Sequence, residues 1–208
     1  ISEEVWGSSS FSDADICVSL LEKDSNNYPI FKDINDSKEK EEIDKVVKEI
    51  INTVNKKIKT VAVTVSPTAK QLKLIEEAGF DYIQIHGELS KEVYESCSLP
   101  IIRAFNVKAD IKDIAFDDIK LDKIKAILFD ASVSGDGKIF NWDIIENIDR
   151  KNKKLILAGG LNSENVKEAI EKIGPDIVDV SSAVEYDNAK GKDQEKIKNF
   201  VNAVREYK

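Results

Sequence analysis

The sequence predicts a (β/α)8 TIM barrel, formed as a single α/β domain over residues 1–208. Three observations lead there. Short runs rich in β-branched residues alternate with longer amphipathic runs along the whole chain. The starts of eight such runs lie 18 to 31 residues apart, the length of one strand plus the helical crossover a parallel neighbour needs. No Pro-, Gly- or Ser-rich linker interrupts them, and 208 residues can bury a core without disulfides or a structural metal. A doubly wound open sheet is the rival arrangement of the same elements.

The candidate strands are Glu3–Trp6, Tyr28–Phe31, Lys59–Val65, Tyr82–His86, Pro100–Val107, Lys125–Asp130, Lys154–Ala158 and Ile177–Val180. Helices are predicted over Lys38–Asn55, Thr68–Ala78, Trp142–Ile148, Ser163–Ile173 and Asp193–Glu206, with a poor helix near Asp117–Lys123. In the first of these, Ile43, Val46, Val47, Ile50, Ile51 and Val54 recur at three- and four-residue steps, the stripe of a helix lying on a sheet. Ser12–Glu22 also reads as helical, which would set Cys17 outside the barrel.

Composition excludes several classes. A net charge of −8 argues against general nucleic-acid binding, which needs a basic face. No apolar run approaches the roughly 20 residues of a membrane helix. The acidic start Ile1-Ser2-Glu3-Glu4 predicts no secretory signal. Cys17 and Cys97 have neither pairing nor metal-ligand spacing, as expected of a protein in a reducing cytoplasm.

Strand alternation sorts the polar residues. Gln84 and His86 share a face opposite Ile83 and Ile85. Ala126, Leu128 and Asp130 fall together, as do Ile177, Asp179 and Ser181. Arg103, sharing its face with Ile101 and Phe105, is assigned to the same inner face as Gln84 and His86. Most of these residues end strands on the carboxyl side, where barrels of this class carry their chemistry. His86 reads first as a structural hydrogen-bonding residue, and Arg103 equally as a structural partner for a carboxylate. Asp130, a carboxylate ending an apolar run before the loop Ala131–Gly137, reads as functional, because such placement is costly unless used.

Two loops look built for an anion. Leu157-Ala158-Gly159-Gly160-Leu161-Asn162-Ser163 turns from a strand into a helix, with Ser163 as the predicted N-cap. Asp179-Val180-Ser181-Ser182-Ala183-Val184-Glu185 follows the last strand. They are the loops after the seventh and eighth candidate strands, the usual phosphate position in this fold.

These segments resemble a family. Ile83-Gln84-Ile85-His86-Gly87-Glu88 is similar to the Q-L-H-G segment of phosphoribosylanthranilate isomerases of tryptophan synthesis. Gly135-Asp136-Gly137-Lys138-Ile139-Phe140-Asn141-Trp142 resembles their G-T-G-K-x-F-D-W stretch, and Leu157–Val166 their A-G-G-L-x-P-E-N-V run. Val178–Glu185 resembles V-D-V-S-S-G-V-E, followed by Gly191-Lys192-Asp193 in place of G-x-K-D. The resemblance covers about residues 58 to 208. It implies an Amadori rearrangement of N-(5-phosphoribosyl)anthranilate, without cofactor or metal, by a cytoplasmic monomer or homodimer that takes a phosphosugar and binds neither nucleic acid nor membrane. Asp130 is the implied general acid. Gln84, His86, Arg103, Gly137 and Asp179 are the implied substrate contacts, and Gly159, Gly160, Ser181, Ser182 and Ala183 the implied phosphate site.

The family's base is a cysteine in a first strand reading K-x-C-G. The best match is Glu4-Val5-Trp6-Gly7, which puts Trp6 at that position. An indole N–H only donates and cannot take a proton. The family's basic S-P-R segment finds only Lys32 and Lys38. Two expectations stay open: an isomerase with an impaired or relocated base, and a non-catalytic or altered-specificity phosphosugar-binding relative.

Overall fold

The computed structural model describes residues 17–19, 48, 51–52, 58–107, 116–130, 142, 145, 148–188 and 191–206. Seven strands form one sheet in chain order: β1 (Cys17–Ser19), β2 (Lys59–Val65), β3 (Tyr82–His86), β4 (Ile101–Asn106), β5 (Ile124–Asp130), β6 (Lys154–Ala158) and β7 (Ile177–Val178). The pairs β1–β2, β2–β3, β3–β4, β5–β6 and β6–β7 are parallel. The helices are α1 (Ala69–Ala78), α2 (Lys91–Ser96), α3 (Val166–Ile173) and α4 (Gln194–Arg205). Lys48, Ile51 and Asn52, inside the helix predicted over Lys38–Asn55, are helical. The described residues form two compact units divided within β4, between Arg103 and Ala104.

β1 corrects the helix expected over Ser12–Glu22. Cys17-Val18-Ser19 is a strand, in register with Lys59-Thr60-Val61. Cysteine, valine and serine are weak helix formers, and pairing with a neighbouring strand outweighs so slight a preference. The neighbour of β2 is thus Cys17–Ser19, where the strand count had placed Tyr28–Phe31. Tyr28–Phe31 and Glu3–Trp6 lie outside the described residues.

In the first unit, α1 starts at a capping box: the Gln71 N–H donates to Thr68 Oγ1 and the Thr68 N–H to Gln71 Oε1. It buries Leu72, Leu74, Ile75 and Ala78 and stops at Gly79, whose φ of 90° suits a residue without Cβ. Asp81 then pins the chain, accepting from the Thr60 N–H (2.8 Å) and hydroxyl (3.0 Å) and pairing with Lys59 (2.9 Å).

The second unit repeats the device. α3 ends at Gly174, φ 57°, and Asp176 accepts from the Leu155 N–H at 2.8 Å, two residues into a strand that also opens on a lysine. Its core gathers Phe105, Ile127, Phe129, Leu155 and Leu157 from the strands with Ala169, Ile173 and Phe200 from the helices. Phe105 and Phe129 stack with centroids 5.8 Å apart. This is the helix-covered side of the sheet, so Ala126, Leu128 and Asp130, alternating with Ile127 and Phe129, face the other way.

The predicted cap of α3 needs correcting as well. The helix begins at Val166, and Ser163 caps nothing; Asn162 Oδ1 instead accepts from the N–H groups of Glu164 (2.8 Å) and Asn165 (3.0 Å). An Asx turn precedes the helix, so its first regular turn starts three residues later than the serine suggested.

Candidate active site

Register brings the second unit's predicted residues to one end of its strands. Asp130 pairs with Ala158, one residue before Gly159. Leu157 pairs with Val178, and the Asp179 N–H continues that ladder to the Leu157 carbonyl at 2.8 Å. Asp130, Gly159, Gly160, Asp179, Ser181 and Ser182 therefore lie at the carboxyl ends of three adjacent strands, as predicted.

Asp130 and Asp179 interact as like charges. Burial, reinforced by the Asp130 carboxylate, pushes the Asp179 carboxyl up; the Lys192 ammonium and the Val180 N–H act against this without cancelling it. Asp179 thus keeps a proton to a higher pH than a solvated aspartate would.

The glycine loop runs through φ 85° at Gly159 and 67° at Gly160, a conformation that residues with a Cβ rarely take. Buried Asn165 holds it, donating from Nδ2 to the Gly160 carbonyl (2.9 Å) and accepting from the Asn162 N–H (2.9 Å). The serine loop makes one turn of 3₁₀ helix over Ser182–Val184. A residue not singled out from the sequence as functional secures it: Lys192 donates to the Ser181 carbonyl (2.9 Å) and lies 3.3 Å from the Ser181 hydroxyl and 2.7 Å from Glu185. Its only signal in the sequence was its place between Gly191 and Asp193. Ala183 sits within the same 3₁₀ turn.

In the first unit, Gln84 and His86 share a face as predicted, with Gln84 Nε2 2.8 Å from His86 Nε2. Arg103 is a correction. It pairs in register with Ile85, which puts it on the Ile83–Ile85 face, opposite Gln84 and His86. There it is buried and donates to the carbonyls of Ile85 (2.8 Å) and Gly87 (2.5 Å), so it braces the end of β3. A cavity of about 240 Å³ between the loops after β2 and β3 is lined by Ser66, Thr68, Glu88 and Glu92 among others. None of the predicted site residues lines it, and its two glutamates suit no phosphate.

Trp6 and Gly137 lie outside the described residues, as do Lys32 and Lys38. Among the described residues no group of three or more His, Cys, Asp or Glu is arranged to hold a metal ion, and no helix is long and apolar enough to cross a membrane.

Parallel strands in chain order with helices between them, and Asp130 and Asp179 beside two small-residue loops at the strand ends, are features of the (β/α)8-barrel class. The family follows from comparison. A profile described as N-(5'phosphoribosyl)anthranilate (PRA) isomerase matches residues 12–203, and the chain belongs to that family. N-(5'-phosphoribosyl)anthranilate isomerase of Streptococcus mutans is 39% identical over 153 residues, 73% of this chain and 75% of that one. The Aquifex aeolicus enzyme of the same name is 39% identical over 149 residues, 69% and 71% of the two chains. Among solved structures, the phosphoribosyl anthranilate isomerase of Thermotoga maritima superposes with a TM-score of 0.67 at 28% identity, covering 78% of this chain and 80% of that one. Another, at 0.64 and 27% with coverages of 78% and 79%, was solved in complex with reduced 1-(o-carboxyphenylamino)-1-deoxyribulose 5-phosphate. The family match opens at residue 12, downstream of Trp6.

Proposed function

We propose that the chain is an aldose–ketose isomerase of tryptophan biosynthesis, converting N-(5-phosphoribosyl)anthranilate to 1-(2-carboxyphenylamino)-1-deoxyribulose 5-phosphate. The observation that carries this reading is the juxtaposition of Asp130 and Asp179 with the two small-residue loops at the ends of β5, β6 and β7. A terminal phosphate is held by the loops of Gly159, Gly160, Ser181, Ser182 and Ala183. Asp130 gives a proton to the furanose ring oxygen as the C1–O bond breaks, leaving an iminium. Loss of the C2 proton sends its electrons into a C1=C2 bond and neutralises the iminium as an enolamine. Tautomerisation then places the ketone at C2 and the returning proton at C1. Gln84, His86 and Gly137 are assigned to the sugar or the aromatic amine by the family resemblance alone. Arg103 donates to the Ile85 and Gly87 carbonyls.

The base is assigned to Asp179, whose burial leaves less of it ionised but makes each carboxylate a stronger base than a solvated one, since Trp6 cannot accept a proton. The phosphosugar is taken up without a cofactor, in the cytoplasm, by a monomer or homodimer.

Turnover is followed by the loss of anthranilate fluorescence. Wild-type protein is expected to exceed the buffer rate, and Asp130→Asn to lower kcat by about 10²–10⁴, the usual worth of a general acid. Turnover no faster than buffer, with phosphate esters still bound, favours the non-catalytic relative and ends the enzyme reading. Trp6→Cys tests the base: a faster enzyme returns that role to residue 6, and an unchanged rate means that residue 6 does not stand at the position of the family's cysteine.

A further inference from the structure

Lys192 enters the site through the Ser181 carbonyl, and a peptide's geometry gives that contact a consequence. In a trans peptide the C=O of one residue and the N–H of the next point in opposite directions, and no described peptide is cis. The Lys192 ammonium, 2.9 Å from the Ser181 oxygen, therefore fixes the Ser182 N–H on the far side of the loop. Among the described residues neither the Ser182 nor the Ala183 N–H donates a hydrogen bond, as expected for the first turn of a 3₁₀ helix. The segment that carries Lys192 is itself anchored. Glu185 and Lys192 form an antiparallel bridge, the Tyr186 N–H donates to the Gly191 carbonyl, and the Asp193 N–H donates to the Val184 carbonyl at 2.8 Å. The ammonium thus reaches Ser181 from a fixed base rather than from a free chain.

We propose that Lys192 is a positioning residue for the ligand's phosphate, holding the Ser181 carbonyl so that the Ser182 and Ala183 N–H groups are presented to the dianion. The inference rests on the isomerase reading for its substrate and on the anion loop alone for its chemistry. Its ion pair with Glu185 is half-exposed, and such pairs contribute little to stability. Removing Lys192 is therefore expected to disturb the loop's aim more than the fold. Lys196 supplies the control. It braces the same segment through the Glu185 carbonyl (2.9 Å) and Asp187 without touching Ser181.

The test compares Lys192→Met, Lys192→Arg and Lys196→Met by steady-state kinetics and by calorimetric titration with inorganic phosphate. Loss of a charge-assisted hydrogen bond predicts a KM about ten-fold higher for Lys192→Met, with a matching loss of phosphate affinity and kcat within about three-fold. Lys192→Arg recovers most of this, and Lys196→Met keeps the wild-type KM. An unchanged KM in Lys192→Met, a fall confined to kcat, or an equal rise in Lys196→Met overturns the proposal. If the wild type itself turns over no substrate, the isomerase reading fails alone. The phosphate titration then decides the lysine's role: weaker binding in Lys192→Met than in Lys196→Met upholds it, and equal binding overturns it.

Discussion

Asp179 is held as an acid by its surroundings. Burial first, and then the charge of Asp130, favour its protonated form, so the folded protein retains a proton that the unfolded chain releases near the ordinary carboxylate value. The stability tied to that proton is present at low pH and is lost as pH rises through the raised folded value. Asp179→Asn should therefore melt above wild type at pH 7.5, by about 2–4 °C if the strain is near 1 kcal/mol, with the gap closing by about pH 4. Thermal melts at the two pH values check this, and a gap independent of pH would mean that Asp179 is not strained by ionisation. The same substitution removes the proposed base, so a more stable protein with a slower turnover is the expected pairing.

Among the elements, the repeated passage from helix to strand carries stability rather than chemistry. Gly79-Phe80-Asp81 and Gly174-Pro175-Asp176 each end a helix on a left-handed glycine and tie the aspartate to the second residue of the preceding strand. At Asp81 burial opposes ionisation but is outweighed by the Thr60 N–H, Lys59 and the Thr60 hydroxyl, so its carboxyl lies below the usual range. That contribution exists above the ordinary carboxylate value and disappears as pH falls through the lowered one, the reverse of Asp179. Asp81→Asn should cost about 1–2 kcal/mol in urea unfolding at pH 7, modest because the carboxylate is partly solvated, and less below about pH 3. These strands were legible to the residue: Lys59–Val65, Tyr82–His86 and Lys154–Ala158 are runs of β-branched and apolar residues with clear ends. α2 was not, since six residues burying only Val93 display no helical period. Nor was the face of Arg103, because alternation orders residues along one strand and says nothing of register with the next. The aspartates and glycines of the site could be read because their types are unusual where they stand. The contacts of Lys192 and Asn165 could not, because each holds a loop through backbone groups that no sequence pattern marks.

For the molecule as a whole, a net charge of −8 confronts an anionic ligand. At about 10 mM salt the screening length is roughly 30 Å and the whole acidic surface repels the approaching dianion; at 150 mM it is about 8 Å and mainly the nearby groups are felt. Direct contacts, such as that of Lys192 with the Ser181 carbonyl at 2.9 Å, are screened far less. The kcat/KM is therefore expected to rise about two-fold between these salt concentrations, opposite to an enzyme that steers its substrate with a basic surface. A steady fall with added salt would show that attraction near the loops extends further than the repulsion.

Phe129 faces away from the strand-end carboxylate, yet it sets where that carboxylate points. It is fully enclosed among the helix-side apolar residues, level with Leu157, and Asp130 follows it on the opposite face, level with Ala158. A single residue inserted between Ile127 and Asp130 would turn the end of that strand inside out, burying the carboxylate in hydrocarbon or forcing the ring into water. The spacing from ring to acid therefore admits no change of one residue.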